Sequence, residues 1–419
     1  MLIGSKRALL FDSGAYLDRL ANLFGQAGVV WPVNDKAGRT AYEWMRRSVS
    51  LELLDDGDFE TAGAGGADVF ASWAETAGTG AIEDEGTLVH GGDHAAKLTA
   101  GSSANTLIKA SPLPTNDGNI PIRPGTSCAL TFWTRGDGTN AGRYQVYDVT
   151  NGAFIRTTVT TSITGTTYTL VTYTFTVPDG CYAVNINLVC PSANGGIAYF
   201  DDVSLTASDY PMDGVYQPSG ITYGVAGIGD GNTGVTFNGT DTAIKIGSRA
   251  FDSLWNGDKF SAVAWAMVDG ATRWTDATTY RYPFHVRSRT DANYYVVMGK
   301  SQTDHQLAWR RRVGGLTNEQ TYTFSPTGPL TWFCMGMTYD QSIPRMRGFV
   351  YAPSHTPWTR VFDVAGDGIA WGTYPVDSSE AVLFAGSLTA QEWIGSGGPC
   401  AYVPDVMLTY EQMFSAMIP

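Results

Sequence analysis

Two groups of aromatic residues raise the first chemical question. Trp133, Tyr144 and Tyr147 fall in one short stretch, and Trp274, Tyr280 and Tyr282 in another. An aromatic ring can pack against the apolar face of a pyranose, while nearby carboxylates and amides take up its hydroxyls. The first three lie on adjacent predicted strands and can form such a platform. The second three occupy a loop rich in Thr and Asp, where exposed rings suit a sugar or a protein interface. Against this stands the core: Trp73 reads as a core tryptophan of a sandwich, and the same fate competes for each of the six.

Bond-breaking chemistry finds less material. Glycoside hydrolysis needs two carboxylates across a cleft, and on a strand they must alternate to share a face. Glu83-Asp84-Glu85 is instead a consecutive run beside Gly86 and reads as a solvated loop. The sequence has no G-x-S-x-G elbow, no HExxH and no Gly-rich phosphate loop opening a helix. The histidines are His90, His94, His285, His305 and His355. His90 and His94 are four apart, but Gly91-Gly92-Asp93 favours a turn and argues against a metal pair on a helix. The expectation is a protein that is not an enzyme.

The elements that must position these residues are strands. Charged residues make up only 16% of the chain and glycines number 49, which fits short strands joined by turns. The 419 residues suffice for two or three domains, each with its own core. With 27 basic and 40 acidic residues the net charge is −13, which repels a phosphate backbone and argues against nucleic acid. Arg310-Arg311-Arg312 sits in a strand-like segment and reads as a solvated strand edge.

Cys128, Cys181, Cys190, Cys334 and Cys400 show no zinc spacing, and most lie in apolar runs. They read as buried free thiols, although Cys181 and Cys190 could pair, and they point to synthesis in a reducing compartment. The apolar patch in MLIGSKRALLFDSG is shorter than a signal-peptide core, and no run is long enough for a membrane span.

YLDRLANLFGQ (residues 16–26) predicts one amphipathic helix, with Tyr16, Leu17, Leu20, Leu23 and Phe24 on a face. Too short to be stable alone, it must dock on the following domain or on a partner. From Leu51 to Leu205 the pattern is β. In YTLVTYTFTV, Val171, Tyr173, Phe175 and Val177 share one face and threonines dominate the other. Turn pairs at Pro124-Gly125, Asp137-Gly138 and Asn151-Gly152 separate such strands, predicting a sandwich or jelly roll.

The order DGDFET, VFASWAET, GGDHAAKLTA, ALTFWTRG, AYFDDVSL over residues 51–206 resembles carbohydrate-binding jelly rolls attached to bacterial xylanases and cellulases. A second β unit follows, with GVTFNGTDTAIKIG, FSAVAWAMVDG, LTWFCMGMTYDQS and YVPDVMLTYEQM. It resembles the laminin-G/concanavalin-like lectin fold, whose members show F-x-G, then W-x-x-x-x-x-T-Y-D, then a D-V strand before L-T-x-E-Q.

That lectin-like family begins with a segment similar to VVWPVNDKAGRTAYEW, followed closely by one similar to DGVYQPSG. Here the whole jelly roll separates the two. The resulting expectation is all-β: an arm and docking helix at 1–26, a discontinuous lectin-like domain at 27–48 plus 209–419, and an inserted jelly roll at 49–208. Insertion is tolerated where the guest's ends meet at an exposed host loop. Three units in series, with 1–50 an independent arm, is the alternative. The insertion reading requires Trp31 to share a core with Phe237 and Val406, not with Trp133.

In the resembled jelly rolls a structural calcium joins the first strand to the last, and Asp58, Glu60 and Asp201 stand at the corresponding places. Hard oxygen ligands suit that ion, although acids also solvate edge strands. Lectin-like folds with no secretion signal and no disulfide framework resemble virion proteins of tailed bacteriophages. The implied role is a minor tail or fibre component that contacts host surface polysaccharide, docked on other virion proteins through its arm and able to form a homo-oligomer. A non-sugar-binding structural or capsid decoration protein, and a bacterial carbohydrate-active enzyme or its accessory module, are the alternatives.

Overall fold

The computed structural model describes the chain from Ala15 to Pro419 apart from residues 25–26, 35–39, 42–47, 104, 111–118, 217–219, 240–241, 248, 269–274, 276–278, 289, 304, 325–330, 354–355, 373, 375, 377–380 and 386–392. It is an all-β protein with short helices, and it divides into two compact units. Residues 1–47 and 212–419 form the first, and residues 48–211 the second.

The second unit is a sandwich of two six-stranded sheets. One runs Thr169–Thr176, Ser127–Gly136, Ile197–Pro211, Ala95–Thr99, Ala81–Glu85, with Ser48–Glu52 also paired to Ile197–Pro211. The other runs Ala153–Thr160, Arg143–Asp148, Ala183–Val189, Leu107–Ala110, Trp73–Thr76, with Ile120–Pro121 beside Ala183–Val189. Period-two alternation sets what each strand buries. Along Ser127–Gly136, Cys128, Leu130, Phe132 and Thr134 are buried, and the residues between them are not. Leu98, Ile108, Val146, Ile186, Leu188 and Phe200 complete this core. Pro124-Gly125 turns the chain with Gly125 at φ +81°, a conformation that L side chains resist.

The first unit has two eight-stranded sheets. In one, Ile394–Pro404 lies between Thr233–Asn238 and Lys259–Val268, and Trp332–Asp340, Arg345–Ala352 and Thr356–Ala365 follow. Val29–Trp31 also pairs with Ile394–Pro404, in the register Val30 to Ala401. The other sheet begins with Thr40–Ala41 on Gly214–Tyr216 and ends in the hairpin of Gln306–Val313 and Leu316–Thr323. Residues on both sides of 48–211 therefore share sheets. Trp31 is buried, packs on Phe251 at 6.0 Å and donates its Nε1–H to the Met212 carbonyl at 3.1 Å. Phe237 is buried in the same unit and stacks on Phe384. Val406 departs from the expectation: it is 37% exposed, just past the end of Ile394–Pro404.

Helix Ala15–Phe24 is not a free arm. Tyr16, Leu17, Leu20 and Phe24 are buried in one cluster with Val263, Trp265, Phe349, Met413 and Met417. Tyr16 donates its hydroxyl to the Ala416 carbonyl at 2.8 Å and accepts from Trp265 Nε1 at 2.8 Å. Its apolar face is thus covered by its own unit, the first of the two docking surfaces that the sequence leaves open. The C-terminal helix Tyr410–Met417 opens on a capping box in which Thr409 and Gln412 satisfy each other's backbone amides.

The arginine run is also corrected. Arg311 is fully buried, with Nη1 2.5 Å from Asp367 and its guanidinium 4.1 Å from the Tyr339 ring centroid. Only its neighbours reach the other face of the strand. All five cysteines are free and buried. Among the described residues no helix is long and apolar enough to cross a membrane.

Candidate functional site

The predicted platform of Trp133, Tyr144 and Tyr147 does not assemble. Tyr144 is buried between Phe132 and Tyr173, with ring centroids at 5.3 and 6.1 Å. Tyr147, three residues on, falls on the opposite face of the same strand and packs edge-on against exposed Phe154 at 5.1 Å. Trp133 belongs to the other sheet, on the face away from the core. The three rings occupy the core and the two outer faces of the sandwich.

Trp133 is itself partly covered. The His90 ring lies flat on it at 3.8 Å and 14°, and Tyr168 stands edge-on to His90 at 5.7 Å. The loop carrying His90 is held by two acids. Asp201, fully buried, accepts from the amides of His90 at 2.6 Å, Gly91 at 3.2 Å and Asp202 at 2.8 Å. Burial pushes its carboxyl up, against the pull of those hydrogen bonds. Glu60 Oε1 accepts from the amides of Asp93 at 2.8 Å and His94 at 3.0 Å.

These bonds bear on calcium. Glu60 and Asp201 face backbone donors of one loop, and Asp58 is exposed. Among the described residues no three His, Cys, Asp or Glu side chains gather as a metal-ligand set. Asp58, Glu60 and Asp201 therefore do not fit a shared calcium shell. Nearby Asp56 is buried, accepts from the Thr61 amide at 3.1 Å through Oδ1, and has no partner for Oδ2. Burial, with Asp58 adding repulsion, lifts its pKa to about 6.

His90 and His94 do not converge on one point. His90 Nδ1 meets Asp202 at 2.5 Å and His94 Nδ1 meets Asp84 at 2.9 Å. The hydrogen bond that the His94 ring donates to the Asp84 carboxylate raises the His94 pKa. His285 is buried without a partner for Nδ1, and burial lowers its pKa to about 3, so it is a neutral interior histidine. His355 lies outside the described residues.

In the first unit, Trp274 lies outside the described residues. Tyr280 and Tyr282 do come together, stacked at 5.8 Å and 16°, but Tyr282 is buried and stacks further on His285. The Arg310 guanidinium covers Tyr280 at 3.9 Å and is paired with Glu319 at 2.8 Å. This stack is closed by its own cation rather than open as a platform.

The open surface of the second unit lies elsewhere. A trough of about 890 Å³ crosses the outer face of the sheet where Ser127–Gly136 runs between Thr169–Thr176 and Ile197–Pro211. Ala129 lines it together with the hydroxyl residues Ser50, Ser127, Thr174, Thr176, Thr206 and Ser208. None of its lining residues is charged. The sequence reading missed it because small hydroxyl residues carry no motif. The one available signal is the threonine side of YTLVTYTFTV, opposite Val171, Tyr173 and Phe175.

No protein-family model matches the chain, and no curated protein does. Among solved structures it is similar to the CBM22-1 xylan-binding domain of Xyn10C from Paenibacillus barcinonensis, at 11% identity over 38% of this chain and 96% of that one, TM-score 0.29. It is similar to the CBM40 of the Ruminococcus gnavus IT-sialidase bound to α2,6 sialyllactose, at 10% identity over 44% of this chain and 96% of that one, TM-score 0.35. It is also similar to tailspike protein 4 of bacteriophage CBA120, at 18% identity over 37% of this chain and 21% of that one, TM-score 0.28. At such scores these likenesses carry no argument, and the fold assignment rests on the strand pairings.

Proposed function

We propose that this chain is a bacteriophage virion structural protein, a minor tail or fibre component, whose β-sandwich units contact host surface polysaccharide. The observation that carries the glycan part is the uncharged, hydroxyl-lined trough of the second unit. Hydroxyls that both donate and accept match those of a neutral polysaccharide, and the small side chain of Ala129 lets a sugar chain approach the sheet. Five free buried thiols support assembly in a reducing cytoplasm before work outside it.

The purely structural alternative has an observation of its own. Phe154 and Leu170 are 52% and 48% exposed on the second unit, as if awaiting a neighbour. An array of host polysaccharides probed with the full chain separates the two readings. Binding is expected, and Ala129→Leu, which fills the trough, is expected to weaken it about tenfold or more. A silent array sinks the glycan reading and leaves the structural one.

A further inference from the structure

We infer that the first unit pairs with a second copy of this chain through a self-complementary face on its C-terminal helix. The face consists of what helix Tyr410–Met417 leaves uncovered. Met413, Ala416 and Met417 are buried, whereas Tyr410 and Phe414 are 45% and 48% exposed. Four residues apart, the two rings lie one above the other along the helix.

Packing holds the rings in place. Trp358, on strand Thr356–Ala365, stands edge-on to Tyr410 at 4.3 Å and to Phe414 at 5.3 Å. Trp358 is itself stacked on buried Phe349 at 5.5 Å and donates its Nε1–H to Met417 Sδ at 3.3 Å. A partner therefore covers rings that are already ordered, at little cost in side-chain entropy. Aromatic rings set beside arginine are also the composition of interface hot spots.

Charge flanks the rings on both sides and differs in sign. On the strand side, the Arg360 guanidinium sits 5.6 Å from the Tyr410 centroid and pairs with Asp363 at 2.8 Å. Arg345 and Arg347 share that carboxylate at 2.5 and 3.3 Å, so three cations meet one anion. Glu411 stands on the other side. It lies about 100° around the helix from Tyr410, turned away from Met413 and Met417. Glu411 is exposed, and among the described residues its carboxylate has no hydrogen bond or ion pair.

Such a face is complementary to itself. A two-fold axis through the rings sets Tyr410 and Phe414 against their own copies and brings Arg360 of each chain to Glu411 of the other. The net charge of the unit permits the approach. Of the 40 acidic and 27 basic residues, residues 48–211 hold 18 and six, which leaves 22 and 21 for the rest. The acidity of the chain belongs to the second unit, and the unit that carries this face is close to neutral. Salt screens the remaining repulsion beyond about 8 Å.

The inference uses no residue of the trough and does not rest on glycan binding. The test is sedimentation velocity of the full chain from about 1 to about 200 µM, in low and in high salt. So few residues make a small interface, and a monomer–dimer equilibrium is expected with a dissociation constant of about 10–100 µM. High salt is expected to weaken it several-fold. Phe414→Glu is expected to leave only monomer. Arg360→Glu and Glu411→Arg are each expected to weaken the dimer about tenfold, and the two together to restore it to within about threefold. That restoration separates a broken charge pair from a misfolded variant. The inference is overturned if the chain stays monomeric throughout, which leaves the face to a different protein. It is equally overturned if Phe414→Glu still dimerises or if the charge exchange restores nothing. Growth past a dimer overturns it too, because an open-ended contact is not two-fold.

Discussion

The His90 imidazole lies 3.8 Å above the Trp133 indole, nearly parallel at 14°, while its Nδ1 meets Asp202 at 2.5 Å. The ring that sequence marked as a sugar platform already has a planar group on one face. Trp133 therefore acts as the floor of the loop that Asp201 and Glu60 pin down.

Replacing that floor separates the two roles. Trp133→Ala is expected to destabilise the second unit by about 2 kcal/mol through lost ring packing. Polysaccharide binding by the folded protein should be unaltered. Calorimetric melting with a parallel binding titration checks both, and a loss of affinity without a loss of stability would return Trp133 to the binding surface.

Asp56 makes stability depend on pH in an unusual direction for a carboxylate. Burial lifts its folded pKa to about 6, above the unfolded value of about 3.9. Its contribution is present below about pH 4 and is lost as pH rises through about 6. Asp56→Asn, which keeps Oδ1 for the Thr61 amide, is expected to stabilise the protein by about 1–2 kcal/mol at pH 7.5 and by little at pH 4. Denaturant melts at the two pH values decide it, and equal effects at both would show that the acid is not held neutral.

His94 runs in the ordinary sense for a histidine that gains a partner. Asp84 raises its folded pKa above the unfolded value of about 6.5. The stabilisation is complete below that unfolded value and disappears as pH climbs through the folded one. Titration of the ring protons by NMR should place His94 above the ordinary histidine value, and Asp84→Asn should bring it back down. An unmoved His94 in that variant breaks the assignment.

Arg311 is expected to tolerate change poorly. It bonds Asp367, the Gly257 carbonyl at 3.0 Å and the Ile369 carbonyl at 2.9 Å. Arg311→Ala leaves the Asp367 carboxylate buried without its cation, at a cost of about 3–5 kcal/mol. Lys should recover little of this, because an ammonium cannot reach several acceptors in one plane. Arg312→Ala, one residue along, should stay within about 0.5 kcal/mol. Urea melts of the three variants give the comparison.

What sequence revealed and what it hid follow from the range of the interactions. Alternation in Thr169–Thr176 and the glycine turn at Gly125 are local, and both could be read directly. The parity of Tyr144 and Tyr147 was also readable, since residues three apart on a strand face opposite ways. Arg311 hid because its partners, Asp258 and Asp367, lie more than fifty residues away on either side. The trough hid because serines and threonines look alike on an idle face and on a binding one.

The pairing of Trp31 with Cys400 has a further consequence, for synthesis. On the ribosome the strand Val29–Trp31 emerges long before its partner Ile394–Pro404, a wait on the order of tens of seconds. Residues 48–211 contain all the strands of their own sheets and can close during that interval. The tryptophan and the amphipathic helix before it must meanwhile stay uncovered, or be sheltered by a chaperone. Nascent-chain yield should therefore be more sensitive to changes in 15–31 than the finished protein's stability is.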